Sequence, residues 1–516
     1  VLLYAGWNSQ LFVNTQVYKF YCELILTGGI RMEVSSANID IKEEKLIPNV
    51  KIVPLIISIM VGVLICFIPK PAEIPQEGWY LLAVFMSIIV ACAIGAASVG
   101  LAAFIGIFVL TFTHIITVKT AFSSYSESLI WLIVCADCLS MGITNTGLGQ
   151  RIAYNIIKLI GKRTIGAGYA LVLCEIILGM FVPSATSRSA GIVLPIAKSL
   201  AEGYGSKVND GSQKKAGEFL LLTALHSNFI SSSFFMTASA VNFLAITMAK
   251  GLGVDSEISL QTWFLVGLGP CLVGFVVIPL LIFLICPPEI KKVENVKIIM
   301  DEKLRELGEI KKSEKIMIVL FITVLLLWML GSKLNIDSTT VAVLGLVVAI
   351  STGIVSWKQF TGKKEIWDLL IWQGSFMMMS GQLNKFGIVD WISGLVKQNI
   401  IGVPWWIALF IVSVAMYYLH YLFASNTVHF TALFSAFLAI LISVGAPPII
   451  SIILLTNMSA LSSGLTHYAV AHGSVFFATG YIDQKKWWRV GAVVSIAHIV
   501  IWYGIGMIWW KIIGLY

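Results

Sequence analysis

Charge is what this chain has least of. Asp, Glu, Lys and Arg make up 12% of its 516 residues, against about 25% in an average soluble domain. The longest polar stretch runs only from Pro287 to Lys315, so no soluble catalytic domain is present. A P-loop or other nucleotide motif is missing, which argues against direct ATP coupling. The eight cysteines fall almost entirely within apolar runs, which argues against a disulfide framework. Cys135 and Cys138 flank Asp137 as a lone C-x-x-C with no second pair and no nearby His, so packing is preferred there to a metal site. Strand-like alternation of polar and apolar residues is also absent from the long hydrophobic runs, which excludes an outer-membrane barrel.

Residues 1–31 lack the ordered basic, apolar and small-residue regions of a cleavable signal. The chain begins at Val1, and Thr27-Gly28-Gly29-Ile30-Arg31 leads straight into Met32. Those five residues can be encoded by a stretch containing AGGAGG just ahead of an ATG. Residues 1–31 are therefore expected to be a leader artefact or disordered, with the natural start at Met32.

What fills the chain instead is hydrophobic sequence, 58% of it, with a mean hydropathy of +0.89. That composition implies an all-α polytopic membrane protein. Apolar segments at 52–69, 78–97, 98–118, 128–148, 219–248, 262–286, 316–332, 338–356, 366–385, 452–481 and 490–514 predict eleven spans, each near the ~20 residues needed to cross. Two further stretches, 165–200 and 404–445, are interrupted by polar motifs and are expected to be re-entrant hairpins.

Lys and Arg follow this map. With the N-terminus cytoplasmic and the C-terminus outside, 25 of them fall on predicted inner stretches and seven on outer ones. The count holds only if each hairpin returns to the side it entered, the first from inside and the second from outside, which makes the halves inverted repeats. The net charge of +8 is explained by this sidedness rather than by nucleic-acid binding. The expected organisation is N-terminal scaffold helices over 32–118, a first repeat over 119–286, a charged cytoplasmic linker over 287–315, further scaffold helices over 316–365 and a second repeat over 366–516. Trp405-Trp406, Trp487-Trp488 and Trp509-Trp510 fall at predicted interfaces.

The repeats carry matching landmarks. Ser184-Ala185-Thr186-Ser187-Arg188 and Ser425-Asn426-Thr427-Val428-His429 are each a Ser-x-Thr triplet with a cationic or ionisable side chain two residues later. Ser184 follows Gly147 by 37 residues and Ser425 follows Gly387 by 38, while Asn228 to Thr237 and Asn457 to Thr466 are both nine apart. Polar side chains at membrane depth are costly, and two sets at matching places suggest one site made twice. A hairpin turning at mid-membrane exposes a helix N-terminus whose free N–H groups carry roughly half a positive charge. Ser and Thr there can cap the helix and donate hydroxyls, so two such tips would hold the two carboxylates of a small dianion.

The candidate ligand contacts are Ser184, Ala185, Thr186, Arg188 and Asn228 in the first half, and Ser425, Asn426, Thr427, His429, Asn457 and Thr466 in the second. Arg188 and His429 are expected to offset the ligand's remaining charge. For Asp137 and Glu175, pairing with a hydroxyl, Lys or Arg is preferred to proton carriage. His226 and His467 fit either a pathway lining or ordinary interhelical hydrogen bonds.

At these residues the chain resembles the divalent-anion/sodium symporter family, in particular its exchanger branch of citrate/succinate, tartrate/succinate and oxoglutarate/malate translocators. The likeness rests on Phe181 to Gly191, on His420 to His429, and on Leu465-Thr466-His467-Tyr468 leading to Gly480-Tyr481 and Trp487-Trp488-Arg489. It covers essentially everything after Met32. It implies a homodimer in a bacterial inner membrane, with a scaffold and a mobile domain carrying both hairpins in an elevator-like movement. It also implies exchange of di- or tricarboxylates without a cofactor, Arg188 and His429 standing where sodium sits in coupled relatives. Two departures are Ala185, where the family usually has Asn, and Ala469-Val470-Ala471, where relatives often read Gly-Thr-Gly.

A sodium- or proton-coupled symporter with the same pocket is the nearest alternative. An intramembrane hydrolase using Ser with His467 or His429 lacks its usual sequence contexts. A passive channel does not suit paired hairpins around a closed pocket. The chain is therefore read as a carrier and not as an enzyme, with membrane lipid as its surroundings.

Overall fold

A continuously apolar chain in lipid must satisfy its backbone N–H and C=O groups internally, and this one does so as helices. The computed structural model describes residues 50–516, apart from 209, 255–256, 294–295, 392–393 and 395–402. The expected leader, 1–31, lies outside the described residues. Among those described, seven helices are long and apolar enough to cross a bilayer: Gln76–Ala93, Ser128–Thr146, Leu260–Ile285, Lys312–Gly331, Trp405–Leu422, Asn426–Ser443 and Gln484–Ile512. Ile52–Phe67, Val99–Phe112, Thr164–Gly179, Ser338–Ser351 and Pro448–Ser462 are shorter apolar helices.

Local chemistry sets the boundaries. Side-chain oxygens of Ser98, Ser259 and Asp483 accept from the N–H groups of Leu101, Thr262 and Lys486 and so cap their helices. Gly147 and Gly387 stop Ser128–Thr146 and Lys364–Lys385 in matching fashion, each at φ 78°, where a Cβ would strain the backbone.

Two expected crossings are broken. The segment 219–248 divides into Gly217–Phe234 and Ala240–Gly251 around an extended Phe235, and 452–481 divides into Pro448–Ser462 and Ala471–Ala478. The breaks are as poor in charge as the helices beside them, so hydropathy runs through them. The segment expected to end at 118 stops as a helix at Phe112. The 287–315 stretch contains the helix Val296–Leu307, which packs on the amphipathic helix Leu148–Ile160 with Lys158 2.5 Å from Asp301. The tryptophan pairs expected at the interfaces are divided: Trp487 and Trp510 are buried, whereas Trp406 and Trp488 are exposed.

The helices form two packed groups. Ser128–Thr146 packs on Ser338–Ser351, which packs on Lys312–Leu334, and Lys364–Lys385 packs on Val99–Phe112 and Gln76–Ala93. In the other group, Gly217–Phe234 packs on Thr164–Gly179, Leu260–Ile285 and Pro448–Ser462. The groups meet where Ala240–Gly251 lies against Lys364–Lys385 and Asn426–Ser443 against Gln76–Ala93. Within each half the order is the same: a long helix, a left-handed glycine, a hairpin, a broken helix, a long helix.

The second break is held by close backbone approach. A Cβ on Gly491 would lie 2.8 Å from the carbonyl oxygens of Gly464 and Leu465, a clash with main chain that no rotamer relieves. Gly491→Val is therefore expected to lower the thermal unfolding midpoint in detergent and the yield of monodisperse protein. Gly504→Val, in the same long helix but with nothing within 4 Å of its Cβ position, should leave both near wild type.

Candidate functional site

The Ser-x-Thr motifs sit at the turns of two hairpins. The first is Thr164–Gly179 followed by a helix over 185–203, with a π turn at Ser189–Val193. The second is Trp405–Leu422 followed by Asn426–Ser443. Ser184 Oγ accepts from the Ser187 N–H at 3.2 Å, and Ser425 Oγ accepts from the Val428 N–H at 3.5 Å. Each cap leaves two N–H groups ahead of it without a partner among the described residues, on Ala185 and Thr186 in one tip and on Asn426 and Thr427 in the other. All four residues, with Ser184, Ser425 and Asn228, line one cavity of about 570 Å³. Two helix N-termini thus face a common space, an arrangement suited to an anion with an acceptor group at each end.

Arg188 is placed differently from expectation. It does not line the cavity and is fully buried, with Nε donating to Glu175 Oε2 at 2.8 Å. Nη1 donates to the carbonyls of Val182 at 2.5 Å and Ala238 at 3.2 Å, and Nη2 to the Ser232 hydroxyl at 2.9 Å. The reason is the backbone: the hairpin turn and the helix break both strand carbonyls away from water, and the guanidinium fork satisfies one from each. Glu175 neutralises it. Asn228 Nδ2 donates to Glu175 Oε2 at 3.0 Å and to the Ala185 carbonyl at 3.4 Å, joining this cluster to the tip.

The second half uses two histidine rings in the corresponding place. His429 is also fully buried and absent from the lining. Ser459 donates its one hydroxyl proton to Asn426 Oδ1 at 2.6 Å, so its oxygen receives the Nδ1–H of His429 at 2.9 Å. With its oxygen held, Asn426 is left with its amide N–H groups for the cavity. His420 stacks on His429 with centroids 4.3 Å apart, and its Nε2 lies 3.3 Å from the Ala469 carbonyl in the second break. In each half, then, the residue at Thr plus two ties its hairpin to its own broken helix.

The remaining expected residues divide as well. Asn457 and Thr466 are fully buried and outside the lining, with neither Asn457 amide atom nor the Thr466 hydroxyl hydrogen-bonded among the described residues. His467 stacks on Phe477 at 4.2 Å and His226 meets Phe229 edge-on, so neither faces the cavity. Val470 and Ala471, within the departure from the family pattern, add apolar wall.

Three lining side chains carry chemistry that sequence reasoning did not assign to the site. His472 Nδ1 lies 3.3 Å from Thr186 Oγ1, linking the second broken helix to the first tip. It is the second residue after the break, a signal that appears only once the break is known. Asp137 and Lys363 pair at 2.7 Å on the same cavity. Sidedness placed Lys363 in an inner loop, whereas the fold sets it beside the middle of Ser128–Thr146.

The sequence compares as follows with known proteins. The family described as sodium:sulfate symporter transmembrane region matches residues 49–516. The putative malate transporter YflS of Bacillus subtilis is 39% identical over 468 residues, covering 90% of this chain and 98% of its own. Dicarboxylate transporter 1 of spinach (Spinacia oleracea) chloroplasts is 38% identical over 465 residues, covering 90% and 82%. Among solved structures, the YdaH transporter of Alcanivorax borkumensis has a TM-score of 0.53 at 12% identity, over 86% of this chain and 99% of that one, a likeness of fold.

The Arg188–Glu175 pair yields a test of its role. Glu175→Leu leaves a buried unpaired cation and is expected to cost about 3–5 kcal/mol of stability. Adding Arg188→Met removes the unpaired cation but takes the donor from the Val182 and Ala238 carbonyls, so it should recover only part of the lost thermal midpoint. A double variant no more stable than Glu175→Leu would show that the charge pair is not what the fold depends on here.

Proposed function

The chain belongs to the sodium:sulfate symporter family of membrane transporters, and from that premise we propose that it carries C4 to C6 di- or tricarboxylates, such as succinate, malate, 2-oxoglutarate, citrate or tartrate, by exchange. The observation that supports this most is the shared cavity: two capped tips present free N–H groups on Ala185, Thr186, Asn426 and Thr427 to the same space. A dianion bridging the tips meets four donors that have no partner among the described residues. The names of the relatives from Bacillus and spinach point to the same substrate class.

Exchange follows from the same donors. An empty carrier would have to take them through the desolvated midpoint of an elevator movement unmet, at about 1–3 kcal/mol for each unsatisfied group. A carrier loaded with anion makes that passage with its donors satisfied, so return with a second substrate is faster than return empty. Neither sodium nor another cofactor enters this scheme. The proposed assembly is a homodimer in a bacterial inner membrane, with the N-terminus cytoplasmic and the C-terminus outside.

The test is uptake of labelled succinate, malate, 2-oxoglutarate, citrate and tartrate into proteoliposomes, with and without internal dicarboxylate and a sodium gradient. Uptake is expected to need internal dicarboxylate and to ignore sodium. Sodium-dependent uptake into liposomes without counter-substrate would establish symport instead. Ser184→Ala and Ser425→Ala each lose a cap worth about 1 kcal/mol, and each should raise KM while a folded protein remains.

A further inference from the structure

One wall of the cavity belongs to neither hairpin nor broken helix. Asp137, midway along Ser128–Thr146, and Lys363, immediately ahead of Lys364–Lys385, face it with Lys363 Nζ 2.7 Å from Asp137 Oδ2. Their side chains are 7% and 17% exposed. Lys363 is the only Lys or Arg among the described residues lining the cavity, because Arg188 is turned away and neutralised. The acids beside it are Asp137 and the exposed Glu365, and His472 and Tyr468 are the other titratable groups on the lining.

An ammonium has three protons to donate, and Asp137 is the one hydrogen-bond acceptor that Lys363 has among the described residues. Its other donors remain open on a side chain that lines the anion cavity. Charged groups at membrane depth are costly to seal from water and face a polar cavity where one exists, so this pair sits where its ammonium can also meet an anion. The helix termini across the cavity carry partial charges that suit any anion; a full cation on the opposite wall adds discrimination in favour of a second carboxylate.

We infer that Lys363 is a substrate-contacting residue whose ammonium is shared between Asp137 and one carboxylate of the transported dianion. This rests on the dicarboxylate reading above. Asp137 then competes with the substrate for one cation, which gives the two residues opposite effects on apparent affinity. Lys363 also selects for the dianion, because a monoamide of the same shape gains less from it.

The experiment measures KM for succinate in counter-substrate-loaded proteoliposomes, with succinamate as competitor. Lys363→Gln is expected to raise KM about tenfold or more and to abolish the preference for succinate over succinamate. Asp137→Asn should lower KM, since the competitor is gone. The double variant Asp137→Asn/Lys363→Gln leaves no buried unpaired charge and should fold like wild type, with KM and preference matching Lys363→Gln. A double variant with wild-type KM and preference would overturn the inference, as would Asp137→Asn raising KM as Lys363→Gln does. A wild type that moves no dicarboxylate would instead overturn the function on which the inference rests.

Discussion

A backbone that turns or breaks inside a membrane must satisfy its polar groups without water, and this constraint shapes the helix group that carries the hairpins and breaks. Helix ends strand two kinds of group, carbonyls at the C-terminal end and N–H groups at the N-terminal end. The carbonyls are sealed by side chains from within. Asn242 Nδ2 donates to the Ser232 and Phe235 carbonyls, Trp263 Nε1 to Ser233, Tyr417 to Leu461, and Arg188 to Val182 and Ala238. The N–H groups at the tips are left open to the cavity. Acceptors sealed and donors exposed is what makes the space suited to anions before any charged side chain is considered.

The two halves reach this state by different chemistry. In the first, a guanidinium with a carboxylate partner fastens the tip to its broken helix. In the second, a stacked pair of imidazoles and two serines do so. An Arg–Glu pair and a set of His–Ser contacts share little as residue types, but each places a side-chain nitrogen beside a carbonyl of its own break. Neither leaves a net charge facing the cavity. The cation on the cavity surface comes instead from the other helix group, which separates the holding of the tips from the electrostatics of the wall opposite.

The hairpins, their caps and the pairing of Asn228 with Thr237 and of Asn457 with Thr466 were all legible as spacings. Each Asn sits on the helix before a break and each Thr within the break, so a nine-residue interval recurs wherever the same bend is built. The breaks themselves were not legible, because five to eight uncharged residues leave a hydropathy window unchanged. With the breaks unseen, the landing places of Arg188 and His429 were unseen as well. A side chain two residues past a tip can face the ligand or turn back to a carbonyl, and sequence position is the same in both cases.

By itself the sequence determined that this protein crosses a membrane, that it is built from two related halves, and that polar tips recur at matching places in them. Composition, sidedness and interval are one-dimensional quantities, and they suffice for those conclusions. Which polar side chains face the common cavity and which are consumed in holding it open was decided by tertiary structure alone. The reason is physical: a buried Arg, His or Lys goes to the nearest unsatisfied acceptor. That acceptor, whether Glu175 with the Ala238 carbonyl, Ser459, or Asp137 on a neighbouring helix, is 13 to 226 residues away in sequence.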